Sequence, residues 1–136
     1  MKHFIVIFIL FLSSYILANN SKLIWKKIAV GINGHVFYVD INSIKNNKGF
    51  LEFWQLIDYT KYDEYMDLSA KINIKVDCFN KRLMWLKISY HKESMGTDYV
   101  DANIPSNSVS GWQYPLYNSP SRLVLDYVCE NDNIAI

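Results

Sequence analysis

Histidine, cysteine, glycine, proline and net charge are all scarce in this 136-residue chain. His3 falls in the N-terminal leader, which leaves His35 and His91, one after a turn glycine and one at a strand end. Both positions predict solvated imidazoles. The two cysteines form no Cys-x-x-Cys pair and no histidine cluster accompanies them, so a tetrahedral metal site cannot be assembled. None of the five glycines opens a phosphate-cradling loop, and Ser69 lacks the glycine pattern of a nucleophile elbow. Asp40, Asp58 and Asp77 are scattered carboxylates whose positions suit caps and turns better than paired acid–base chemistry. No catalytic, metal or cofactor residue is therefore expected. A formal charge of +1 argues against a nucleic-acid partner. Repeats and low-complexity tracts are missing too.

Long apolar runs are equally rare. The one at the N-terminus, Phe4 to Leu12, follows Met1-Lys2-His3 and leads through Ser13-Ser14 to Ala18 and the polar Asn19-Asn20-Ser21. Short positive start, apolar core and small-residue exit predict a secretory signal peptide over residues 1–18, leaving one domain over 19–136. The rival reading, an uncleaved anchor, is disfavoured because a span needs about 20 apolar residues. No cysteine follows the segment, which excludes a lipoprotein anchor, and no stable membrane span is expected after cleavage.

What the chain does contain is hydrophobic and aromatic: 51% and 15%, with ten tyrosines and four tryptophans. Ser69 to Cys78 alternates without a break, Ala70, Ile72, Ile74, Val76 and Cys78 on one side and Ser69, Lys71, Asn73, Lys75 and Asp77 on the other. Period two over that length predicts a strand with one buried and one wet face. Further strands are expected over 23–30 and 35–40, joined at Asn33-Gly34, and over Phe50–Tyr59, which is apolar enough for the middle of a sheet. Asp40 should cap one helical turn, and Asn46 to Gly49 should form a second turn. After a tight connection at Asn80-Lys81, Arg82–Tyr90 should bury Met84, Leu86, Ile88 and Tyr90, which turns Trp85 to the opposite face with Lys87. Residues 91–111 are irregular, with a short edge strand expected near Tyr99–Asp101. Ser119 as N-cap and Pro120 at the first position predict a final helix that presents Leu123, Leu125, Val128 and Cys129.

In an exported protein an isolated cysteine pair forms a disulfide. Cys78 to Cys129 closes a loop whose restraint stabilises the fold by about 4 kcal/mol in the chain-entropy model. The expected class is α+β: a twisted antiparallel sheet of five to six strands, with a C-terminal helix packed on one face and tethered by that disulfide.

An ordered set of residues resembles the surface-adhesin protein E family of Gram-negative bacteria: Trp25; Tyr38-Val39-Asp40 with Ser43-Ile44; Trp54-x-Leu56-x-Asp58-Tyr59; Ser69-x-Lys71 leading to Asp77-Cys78; Gly96; Trp112; and Ser121 leading to Cys129. The set covers nearly all of residues 22–130. The resemblance implies a helix held to the concave side of the sheet, and attachment to host extracellular-matrix proteins such as vitronectin and laminin. The loop from Thr97 to Gly111 has no basic residue and carries Asp98 and Asp101, which argues against capture of acidic or sulfated ligands there.

The expected function is an adhesin-like, non-catalytic protein-binding module of the bacterial envelope, in the periplasm or at the cell surface. The alternative is a periplasmic inhibitor or envelope-stress protein of the lysozyme-inhibitor kind. Trp85, Lys87, Tyr62 and Tyr65 are the candidate partner contacts, with a second copy of the domain as a competing occupant.

Overall fold

The computed structural model describes residues 22–131, so the signal-peptide reading of residues 1–18 lies outside the described residues. Six strands and one helix follow in order: β1 (Trp25–Val30), β2 (Val36–Asp40), β3 (Lys45–Asn47), β4 (Phe50–Asp58), β5 (Ser69–Asp77), β6 (Arg82–His91) and α1 (Pro120–Glu130). Every pairing is antiparallel, in the spatial order β1-β2-β4-β5-β6. β4 is central as its composition predicted, and β2 and β3 share its other edge end to end.

Local chemistry explains the breaks. Asp40 ends β2 and accepts hydrogen bonds from the backbone N–H of Asn42 and Ile24, both at 3.1 Å. Ser43 Oγ donates to the Asp40 carbonyl and accepts from Trp54 N–H at 2.8 Å. These bonds hold a 3₁₀ turn over Ile41–Ser43 between β2 and β3. Asn46 and Asn47, expected within a turn, are instead the end of strand β3. Lys48 and Gly49 both take positive φ, the mirror-type turn that keeps flanking residues paired, so Asn47 meets Phe50. At the β5–β6 turn, the Asp77 carboxylate accepts from Asn80 and from Arg82 Nε at 2.8 Å.

β5 packs as its alternation demands: Ala70, Ile72, Ile74 and Val76 are buried on the helix side. Ile72, Ile74 and Val76 meet Leu51, Phe53 and Val39 across the sheet and Val124, Leu125 and Val128 of α1. Full burial of these three helix side chains contributes about 2 kcal/mol each before ordering costs. Ser119 Oγ caps α1 by accepting from Arg122 N–H. Leu123, expected on the packed face, is exposed, because positions 124, 125 and 128 define the stripe. Cys78 and Cys129 are bonded, with Cα atoms 5.7 Å apart.

Two further expectations are corrected. Asn73 pairs with Lys87 but Ile74 pairs with Trp85, so β6 carries one extra residue, Leu86. A bulge shifts side-chain parity. Leu83 and Trp85 therefore face the helix side, where Trp85 is part-buried against the core, while Lys87 stays exposed on the other face. The second correction concerns pairing beyond β6. No strand forms at Tyr99–Asp101; single bridges join Asn103 to Ile88 and Gln113 to Leu83. The returning chain thus covers part of the outer edge of β6, blunting it against edge-to-edge association.

Candidate functional site

The face opposite α1 was expected to be wet, and at one end it is not. Antiparallel pairing sets Asp58, Ser69 and His91 in one row across β4, β5 and β6, with Leu56, Lys71 and Ser89 in the next. The chain leaving β6 folds back over both rows. Ser94 Oγ and Met95 N–H donate to Asp58 at 2.8 and 2.6 Å. Ser69 Oγ donates to the Glu93 carbonyl at 2.6 Å and accepts from Gly96 N–H at 2.8 Å. Lys71 Nζ donates to the Gly96 carbonyl at 2.6 Å. Gly96 has φ +59°, and a Cβ there would force the Lys71 side chain off its carbonyl, so glycine suits the position on both counts. Asp58, Ser69-x-Lys71 and Gly96, distant in sequence, are the anchors of one strap.

His91 completes it. Only 2% exposed, the ring is buried, where a solvated imidazole was expected. Its Nδ1 lies 3.0 Å from the Asp98 carbonyl and 3.2 Å from Asp98 Oδ1. Both partners are acceptors, which places the proton of a neutral ring on Nδ1 and leaves Nε2 to accept from Ser89 Oγ at 2.9 Å. The Asp98 carboxylate also accepts from the backbone N–H groups of Lys92 and Glu93. Burial pulls that carboxyl upward, but the backbone N–H groups and His91 outweigh it and hold it below its ordinary value. The atom order Ser–His–Asp is that of a hydrolase triad. Here His91 and Asp98 tie β6 to the segment that returns over it, while the Ser89 hydroxyl bonds only to His91, so the line serves the strap and its polar side chains also border a cavity. The missed signal was the spacing Lys87, Ser89, His91, which places all three on one face beyond the bulge.

Between the strap and β1 lies a cavity of about 270 Å³. Leu23, Trp25 and Trp54 form one part of its lining, Tyr99, Val100 and Ala102 another, and Lys71, Ser89, His91 and Asp98 supply the polar part. Among the described residues, no group of three or more His, Cys, Asp or Glu side chains is placed to hold a metal ion. No helix in them is long and apolar enough to cross a membrane.

The candidate partner residues are not brought into one site. Tyr62 and Tyr65 are exposed on the β4–β5 loop, Lys87 lies on β6, and Trp85 lies on the other face. Tyr59 and Tyr90 line a depression with Tyr65, Asp63 and Asp67. Burial, then Tyr90 and the two aspartates, push the Tyr59 hydroxyl up to about 12. The sequence also offers Tyr114 and Tyr117 as aromatics for the surface, and both are exposed. Tyr114, Leu116 and Tyr117, ahead of α1, are 65%, 81% and 79% exposed. Arg82 stacks on Trp112 at 4.2 Å, and Arg122 lies 6.0 Å from the Tyr117 ring.

The model of the surface-adhesin protein E family matches residues 25–130. Two structures of Haemophilus influenzae protein E share the fold. Its crystal form II superposes with a TM-score of 0.60 at 14% identity, over 80% of this chain and 89% of that one. The other gives 0.59 at 15%, over 82% and 88%. No curated protein matches the chain. The strap anchors, the capped turn after β2 and the bonded cysteine pair all fall inside the matched span, and the chain belongs to the surface-adhesin protein E family.

Proposed function

We propose that this protein is an exported, adhesin-like module of the bacterial envelope that binds a protein partner without catalysis. The observation that carries the reading is the segment Tyr114–Tyr117, which holds three large apolar side chains in solvent next to two arginines. Tyrosine and arginine are the residue types enriched at interface centres, and a rigid aromatic needs little ordering on binding. Tyr62 and Tyr65 offer a second exposed patch on the β4–β5 loop, and Lys87 a separate charge on β6. Host extracellular-matrix proteins are the partner class that family membership favours.

The test is direct binding of the folded, disulfide-bonded domain to purified vitronectin and laminin by surface plasmon resonance. Replacing Leu116 and Tyr117 together by alanine should weaken binding at least about thirtyfold, the effect of losing about 2 kcal/mol. Tyr62→Ala with Tyr65→Ala measures the second patch. Absence of binding to both proteins, or a Leu116/Tyr117 variant as tight as wild type, would overturn this assignment.

A further inference from the structure

The cavity beneath the strap is left unused by the protein-binding reading, and its chemistry is asymmetric. Trp25 and Trp54 give it an apolar aromatic wall. Its two charged side chains are not equivalent. The Asp98 carboxylate is occupied by His91 and by two backbone N–H groups. The Lys71 ammonium donates to a single neutral carbonyl, that of Gly96. Among the described residues it has no carboxylate within ion-pair distance. An ammonium carries three donors, and a partly desolvated one beside an apolar wall gains most from an anionic acceptor. A volume of about 270 Å³ admits one side-chain-sized group.

We propose that this cavity binds an apolar group ending in a carboxylate. Trp25 and Trp54 hold the apolar body, and Lys71 pairs with the carboxylate. That chemistry is common to a free aryl-alkanoic acid and to the C-terminal residue of a peptide with an aromatic side chain. The site lies on the sheet face opposite α1 and shares no residue with Tyr114–Tyr117, so it stands or falls independently of the protein-binding surface.

The experiment titrates the purified domain with 3-phenylpropionate, its amide, N-acetylglycyl-phenylalanine and the amide of that peptide. Intrinsic fluorescence is the readout, because two of the four tryptophans line the cavity. The acids should bind with Kd on the order of 1 mM and each amide at least about tenfold more weakly. Tighter binding of the peptide acid would identify a polypeptide terminus as the source, and tighter binding of phenylpropionate a free small acid. Lys71→Met should abolish the difference between acid and amide. That change also loosens Gly96, so Ala102→Trp supplies a second variant that fills the cavity from its rim without touching a strap bond. It should lose binding at an unchanged melting temperature. Equal affinity for acid and amide, binding retained in both variants, or no saturation by any probe up to about 10 mM would refute the proposal.

Discussion

Ser69→Ala tests whether the strap is a structural device. The Ser69 hydroxyl is fully buried, donates to the Glu93 carbonyl and accepts from the Gly96 N–H. Alanine leaves both backbone groups without this partner, the Gly96 N–H in a buried bond and the Glu93 carbonyl in a part-buried one. Each orphaned group costs about 1–3 kcal/mol. The strap retains its bonds to Asp58, Lys71 and His91, so it can give slightly and admit solvent. A total loss of about 2–4 kcal/mol follows. At about 4 °C per kcal/mol for a domain of this size, the melting temperature should fall by about 8–16 °C. Circular dichroism measures the melt, and amide hydrogen exchange localises the damage. The Gly96 N–H should exchange much faster, while Ile72 and Ile74 in the centre of β5 should follow only the global change. A variant within about 0.5 kcal/mol of wild type, with Gly96 still protected, would refute the idea that Ser69 holds the strap.

Two further outcomes are expected. Replacing Cys78 and Cys129 together by alanine should cost about 4 kcal/mol from the loop of sequence separation 51; denaturant melts of the variant should match those of reduced wild type. Asp126 governs an acid limb: partial burial raises its carboxyl, but Lys81 and Arg122, each with a contact at 3.1 Å, outweigh burial and hold it below the ordinary range. A lowered folded pKa stabilises above the unfolded value, near pH 3.9, and that contribution is lost as pH falls through the lowered one. The stability gap between wild type and Asp126→Asn should therefore be constant near neutrality and shrink below about pH 4 in urea melts.

The sequence by itself determined the elements whose signals are local. The alternation of Ser69 to Asp77, the turn at Asn33-Gly34, the cap at Asp40 and the Ser119-Pro120 helix start each rest on neighbours a few residues apart. The cysteine pairing was legible because only two cysteines exist. Tertiary structure alone decided the rest. A bulge is invisible to a period-two count, since nothing in Trp85-Leu86-Lys87 marks which residue will be left unpaired; only pairing against Asn73-Ile74 fixed that and moved Trp85 to the core side. Likewise the polar side of β5 looked wet because its cover lies more than twenty residues away. Asp58, Ser69, Lys71 and His91 became one site when β4, β5 and β6 aligned them in rows and the segment from Glu93 to Asp98 closed over them. Local pattern sets which face a side chain takes only while the register runs without a bulge, and what lies above that face is set by chain closure.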